Sequence, residues 1–257
     1  MLSTNKVLLE IENCIATVTL NRPEKSNAFD GDVWQGLEEA ASAIKHNPMV
    51  KAVIVTGAGR AFCSGLDIKT AMAEGISLDD HMLREGHEAL HYLSSVFTMY
   101  ENLPVPVIAA INGGCIGLGM ELALACDIRI ASEEAIFSIP EVVFGLIPDC
   151  GGTQRLPRLM NPGMAKELVL TGRRINASEA LRIGLVNHLY PKEQLANEAV
   201  KIANEIIVHS PAAIQASKLA LNAAMNTTLD MGLRYETAAA LSVLGEKVKT
   251  MIKHNNK

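Results

Sequence analysis

Twice along the chain a short, wholly apolar segment runs straight into a glycine-rich turn that leads toward a helix. The first is AVIV at 52–55, entering the glycine-rich stretch 56–65. The second is VIAAI at 107–111, entering 112–119 and then an apolar helix to about 126. Short apolar runs without polar alternation are strands covered on both faces, and such strands need layers above and below them. Repeated β-β-α units supply those layers by stacking in parallel with right-handed crossovers. The expected fold class is therefore α/β.

The flanking segments fit around this repeat. VLLEIE (7–12) and IATVTL (15–20) read as two strands of a hairpin, followed by a polar, proline-containing turn over 21–27. Residues 30–45 have helical spacing, with Val33, Leu37, Ala40, Ala41 and Ile44 on one face and His46-Asn47-Pro48 as the stop. A long helix is expected over 78–102 and strands over 127–131 and 135–139. From about 176 the chain becomes helix after helix, at 177–183, 192–208, 211–224 and 228–245. Amphipathic helices with few strands left to cover pack on another subunit. The expected division is thus residues 1–195 as the core that carries the site and 196–257 as a helical oligomerisation region.

Composition removes several classes of function. With 49% hydrophobic residues and a net charge of −5 over 257 residues, general disorder is excluded. An acidic chain lacks the basic face that nucleic acid needs, so no nucleic-acid partner is expected. Aromatic residues make up only 4%, and the abundant small residues favour tight layers over an aromatic-rich sandwich. No apolar run approaches the ~20 residues of a membrane span, so no membrane partner is expected. The first residues, with Glu10 and Glu12, lack the apolar stretch of a secretory signal. Five cysteines without a scaffold spacing read as reduced thiols, which points to the cytoplasm.

Four stretches carry chemistry. GGCIGLGME (113–121) follows a buried strand and opens a helix, so its free N–H groups can converge on an anion or oxyanion; the other use of its glycines is close helix–strand packing. The G-x-G-x-x-G order of dinucleotide sites and the Gly-Lys-Ser/Thr of a P-loop are both absent. Within the stretch, Glu121 sits on a helix apolar on every face. Burial there is costly unless the carboxylate is hydrogen-bonded or functional; the alternative is a first-turn acid near the helix dipole. FSIPEVVFGLIPD (137–149) places a second carboxylate, Glu141, in an apolar run and ends on Asp149, which either caps the next helix or acts in chemistry. GRAFCSGLDI (59–68) is a second turn rich in exposed backbone. Finally, His87-Glu88-Ala89-Leu90-His91 matches HExxH, a zinc-protease pattern, but no third ligand is evident and the segment reads as a solvated helix. No metal is expected.

Together RAFCSGLDIK (60–69), PVIAAINGGCIGLGMELALACD (106–127) and PEVVFGLIPDCGGTQRLP (140–157) resemble the crotonase (enoyl-CoA hydratase/isomerase) superfamily. LNRPEKSNAF (20–29) and TGRRINASEALRIGLV (171–186) match as well, in order, over essentially the whole chain. The resemblance implies a spiral of ββα units followed by a helical trimerisation region, and hence a homotrimer or a dimer of trimers. It implies acyl-CoA thioester substrates, with coenzyme A as part of the substrate and no separate cofactor. It implies an oxyanion hole made by the backbone N–H groups of Leu66 and Leu118. Arg22, Lys25, Ala28, Ser64, Gly65, Asp67, Ile68 and Gly117 would contact the substrate.

The resemblance also gives the two glutamates their work. Glu121 and Glu141 stand 20 residues apart, as in the hydratases, where one activates water and the other supplies a proton. Two carboxyls in one pocket do not both ionise easily, so their pKa values separate. The expected activity is hydration of a trans-2-enoyl-CoA across its 2,3 double bond. Asp149 occupies the position of an acid used by dienoyl-CoA isomerases, so double-bond isomerisation by Glu141 and Asp149 is the alternative. A non-catalytic acyl-CoA-binding or RNA-binding relative is disfavoured, because both glutamates are present and the chain is acidic.

Overall fold

In the computed structural model, which describes residues 2–69 and 80–255, the strands in chain order are β1 (Val7–Glu12), β2 (Ile15–Leu20), β3 (Ala52–Gly57), β4 (Ala61–Cys63), β5 (Val107–Ile111), β6 (Gly114–Ile116), β7 (Ile128–Ser132), β8 (Ile136–Ser138), β9 (Ile175–Asn176) and β10 (His188–Tyr190). They form two sheets, a six-stranded one in the order β1-β2-β3-β5-β7-β10 and a four-stranded one in the order β4-β6-β8-β9. The two apolar runs of the sequence are β3 and β5, parallel neighbours at the centre of the large sheet, with Val53 opposite Val107 and Ile54 opposite Ile108. Among the described strands, β1/β2 and β8/β9 pair antiparallel and the rest pair parallel.

Both glycine-rich stretches, expected as turns, contain a three-residue strand. β4 and β6 are too short to show a period of two. They exist because successive repeats pair, Ala61 with Gly114 and Cys63 with Cys115. Each repeat therefore lays one strand in the large sheet, one in the small sheet, and then a helix. The α/β class and the spiral of ββα units are as expected. β10, inside the stretch expected to be helical, is likewise a three-residue strand made by pairing with β7.

The helices are α1 (Gly31–Lys45), α2 (Asp80–Glu101), α3 (Leu118–Leu124), α4 (Gly152–Leu159), α5 (Pro162–Thr171), α6 (Ala177–Arg182), α7 (Leu195–Ile207), α8 (Pro211–Ala224) and α9 (Leu229–Asn255). Asp30 caps α1 by accepting from the Val33 N–H at 3.1 Å, and the expected apolar face is the buried one. Trp34 on that face stacks on Phe97 of α2 at a 4.8 Å centroid distance. One core cluster fills the space between the sheets and α1–α3, around Phe29, Phe62, Phe97, Phe137 and Leu122. The other lies on the outer face of the large sheet, where Ile54, Ile108 and Ile130 meet Leu195, Ala199 and Ala203 of α7. The two alanines let α7 approach the sheet closely.

α3 approaches the small sheet just as closely. A Cβ on Gly119 would stand 2.6 Å from the Cys63 Cβ and 2.8 Å from the Cys63 carbonyl. Gly119→Ala should therefore force α3 away from β4 and cost ~1–3 kcal/mol, read as a lower urea midpoint at unchanged slope.

Candidate active site

Gly117 follows β6 and caps α3 with φ +55°, a left-handed conformation that suits glycine. A Cβ there would also lie 2.8 Å from the Glu141 Oε1, so the same residue permits the turn and leaves room for a carboxylate. One turn into α3, Glu121 is fully buried. Its Oε1 accepts from the N–H groups of Cys150 at 2.9 Å and Gly152 at 2.7 Å. Its Oε2 is buried with no hydrogen-bond partner. Burial raises the Glu121 pKa to about 8; the Gly152 and Cys150 N–H groups pull it down, and the charges of Glu141 and Asp149 push it further up.

Glu141 opens a 3-10 turn, Glu141–Phe144, directly after β8 and Pro140. It is half-buried, its Oε2 is also buried without a partner, and burial followed by the charge of Asp149 raises its pKa. Asp149 is exposed and lies in the loop before α4. The cap of α4 is Gly151, at φ +108° and without a side-chain hydrogen bond, so the capping alternative for Asp149 does not hold. Its carboxylate and those donor atoms of Glu121 and Cys150 that could take a metal all lie within 4.8 Å of one another. The loop thus sets Asp149 beside Glu121, and Glu141 on its turn is near enough that its charge acts on Glu121 and that of Asp149 acts on it.

The N–H groups of Leu66 and Leu118 come from two chain segments in contact. A Cβ on Gly65 would stand 3.2 Å from the Ile116 carbonyl and 3.8 Å from the Gly117 Cα. Leu66 forms an isolated parallel bridge with Phe29. The bonds of that bridge run from the Phe29 N–H to the Gly65 carbonyl, 2.8 Å, and from the Asp67 N–H to the Phe29 carbonyl, 2.9 Å. The Leu66 N–H is therefore turned to the opposite side. Leu118 is the first residue of α3, where an N–H has no intrahelical acceptor. Two such donors, one at a helix start, can stabilise negative charge on a carbonyl oxygen.

The other expected contact residues divide into two groups. Arg22 is buried; its guanidinium donates to the Ala28 carbonyl at 2.7 Å and pairs with Asp30 at 3.1 Å and Asp67 at 3.2 Å. It ties 22–30 to the loop after β4. Lys25, Ser64 and Ile68 are exposed on the outer side of that junction, with the Ser64 hydroxyl donating to the Lys25 carbonyl at 3.3 Å. Sequence reasoning passed over Asn27, which is buried at φ +58°, accepts from the Arg22 N–H and donates to the Ala58 and Ala61 carbonyls. It also passed over the backbone of Cys150 and Gly152, for which the Gly-Gly pair after Asp149 was the available signal.

Of the HExxH pair, the His87 side chain lies outside the described residues, and His91 is exposed on α2. Glu121, Asp149 and Cys150 are close enough to share a cation. Burial and the neighbouring carboxylates push the Cys150 thiol pKa up, however, and metals take the thiolate.

Comparison with known proteins gives this geometry a family. The family model described as enoyl-CoA hydratase/isomerase matches residues 10–251. A short-chain-enoyl-CoA hydratase of Clostridium acetobutylicum is 44% identical over 236 residues, 91% of this chain and 88% of that protein. A mitochondrial Delta(3,5)-Delta(2,4)-dienoyl-CoA isomerase of Rattus norvegicus is 38% identical, over 88% of this chain and 71% of that protein. Among solved structures, an enoyl-CoA hydratase of Bacillus anthracis superposes with a TM-score of 0.88 at 34% identity, covering 98% of this chain and 96% of that one. A putative enoyl-CoA hydratase of Thermobifida fusca in complex with CoA gives 0.85 at 31%, covering 96% of each chain. The chain belongs to the enoyl-CoA hydratase/isomerase family and is an enzyme of that family.

The raised pKa of Glu121 has a measurable consequence. The fold favours the protonated carboxyl, so its contribution to stability is complete below the ordinary value of 4.5 and is lost as pH rises through about 8. Glu121→Gln abolishes that ionisation. Calorimetry should find the variant's advantage in Tm over the parent greater at about pH 9 than at about pH 5.

Proposed function

We infer that the chain is an enoyl-CoA hydratase, adding water across the 2,3 double bond of a trans-2-enoyl-CoA. The observation that carries this is the pairing of Glu121 and Glu141, each with a buried and unpartnered carboxylate oxygen, across Gly117 from the Leu66 and Leu118 N–H groups. With the thioester oxygen between those N–H groups, charge that develops in the enolate meets donors already in place. One such donor is typically worth ~3–4 kcal/mol in the transition state. A water held by the two glutamates attacks the β carbon, one carboxylate taking its proton; the other, protonated, delivers a proton to the α carbon. The reaction needs no metal or redox cofactor, and coenzyme A arrives as part of the substrate. Lys25, Ser64 and Ile68 are assigned to its nucleotide end. Arg22 and Asp67 hold that surface from beneath, with Ala28, Gly65 and Gly117 at the thioester side.

The second reading, isomerisation of a 3-enoyl or 3,5-dienoyl thioester by Glu141 and Asp149, has its own support. Asp149 is not engaged as a helix cap, and it stands beside Glu121. Moving a proton between two carbons of one acyl chain uses acids at different positions and no added water.

The core and the oligomerisation region are assigned to 1–195 and 196–257, and the assembly to a homotrimer or a dimer of trimers in the cytoplasm. The exposed Leu229, Met231, Leu233, Leu241 and Leu244 along α9 support a partner subunit there. The unpaired thiols support a reducing compartment. No described helix is long and apolar enough to cross a membrane.

Assays with crotonyl-CoA, a 3-enoyl-CoA and a 3,5-dienoyl-CoA separate the two chemistries. Glu121→Gln and Glu141→Gln should each lower kcat for crotonyl-CoA hydration by at least ~10²-fold. Asp149→Asn should leave hydration within about tenfold and remove most of any isomerase activity. A near-normal hydration rate in either glutamate variant would refute its assigned role. Light scattering should give a trimer or hexamer at micromolar concentration; a 27.6 kDa particle would refute the assembly.

A further inference from the structure

We propose that Arg155 is a positioning residue for catalysis, holding the loop whose backbone N–H groups fix Glu121. The proposal rests on the hydratase reading for its kinetic part and on geometry alone for the rest. The loop 149–152 brings three groups to the site: the Asp149 carboxylate and the N–H groups of Cys150 and Gly152. No side-chain cap fixes their direction, since α4 starts at Gly152 after Gly151.

Arg155 supplies what the cap does not. Its Nη1 donates to the Cys150 carbonyl at 3.0 Å. A peptide is planar, so gripping that carbonyl fixes the peptide joining Cys150 to Gly151, between the two N–H donors to Glu121. The guanidinium lies so close over Gly151 that a Cβ there would fall on it, which adds a packing reason for glycine to the one its φ already gives. The Arg155 N–H also donates to the Gly151 carbonyl at 2.7 Å.

The guanidinium is itself held from the far side. Nε and Nη2 donate to Glu101 Oε2 at 3.0 and 2.7 Å, and Nη2 to Thr98 Oγ1 at 2.9 Å. Both residues lie at the end of α2, and the Glu101 carbonyl accepts from Asn222 of α8 at 3.3 Å. A planar fork can serve the loop carbonyl and the α2 acceptors at once, whereas a lysine ammonium has one centre to place. The Arg155 side chain is 14% exposed and that of Glu101 36%, so the pair is partly open to water and its direct contribution to stability is small. Its geometric contribution is not small, because displacing a reacting group by ~1 Å can cost 10²-fold in rate.

The experiment compares the parent enzyme with Arg155→Met, Arg155→Lys and Glu101→Gln, reading kcat and KM for crotonyl-CoA. It also reads the Glu121 titration by infrared difference spectroscopy, its carboxyl band assigned by loss in Glu121→Gln. Arg155→Met is expected to lower kcat at least ~tenfold with KM within about threefold. The Glu121 midpoint should move upward from about 8, since the N–H donors that lower it are displaced while Glu141, Asp149 and the Cys150 thiol still face it. Arg155→Lys should fall between parent and Arg155→Met, and Glu101→Gln should show a smaller change in the same direction. A folded Arg155→Met with parental kcat and midpoint, even at a lower Tm, would overturn the proposal and leave Arg155 a structural brace. If Arg155→Met does not fold, parental values in Glu101→Gln overturn it. If the parent does not hydrate crotonyl-CoA, the hydratase reading fails while the infrared midpoint still decides the role of Arg155.

Discussion

The contact between the turn after β4 and the turn that opens α3 is the constraint on which the site depends. Gly65 and Gly117 touch through backbone, and Gly119 brings the first turn of α3 against Cys63. A Cβ on Gly119 would overlap Cys63 and force the segments apart, one on Gly65 would press on the Ile116 carbonyl at 3.2 Å, and one on Gly117 would meet the Glu141 carboxylate at 2.8 Å. The Leu66 and Leu118 N–H groups, proposed above as the oxyanion donors, lie on these two segments and can serve one oxygen only while that gap stays closed. The ββα repeat makes the closure possible, because β4 and β6 are parallel neighbours and their exits lie side by side. A feature that looks like loop composition in the sequence is thus the end of a sheet.

Around that contact the fold assembles acids that resist ionising together. Glu121 is surrounded by apolar helix and sheet, and its neighbours of like charge, Glu141 and Asp149, arrive on the turn and loop between β8 and α4. One Glu121 oxygen is satisfied by two N–H groups and the other by none. A carboxyl so placed keeps a proton into the neutral range while retaining a free oxygen. Such a group can hold water and exchange a proton near working pH, which an exposed glutamate cannot do as well.

How legible this was depends on how local each signal is. β1, β2, β5 and α1 followed from alternation, an apolar run, helical spacing and a proline stop, which are properties of a few adjacent residues. β4, β6 and β10 were not legible, because three residues carry no period and pairing across the spiral makes them. The burial of Glu121 was legible from the apolar helix around it. Its two N–H donors were not, because they lie 29 and 31 residues further along. The direction of Arg22 was hidden for the same reason: an arginine in a polar turn reads as solvent-facing until Asp67, 45 residues away, is folded against it. The family resemblance supplied roles where the residues alone left pairs of alternatives, and Asp149 shows the limit of local reading. A cap requires only a short reach to the next helix, yet the helix begins at Gly152 and the cap position belongs to Gly151.

The helical tail is bound to this core by polar anchors as well as by burial. α7 lies on the large sheet through Leu195, Ala199 and Ala203. α8 is fixed by Lys218, whose buried ammonium reaches Asp127 at 2.7 Å and the Val105 carbonyl at 3.0 Å. The same Asp127 oxygen accepts from the Val107 N–H at the start of β5. An apolar contact alone tolerates sliding, whereas an ion pair with two further backbone partners allows few arrangements. It therefore sets where α8 crosses the ends of β5 and β7. From that position Asn222 meets Glu101, and Glu101 meets Arg155. The placement of the tail and that of the loop beside Glu121 are in this way linked by one chain of charged and polar contacts, while the apolar faces of α8 and α9 remain turned outward.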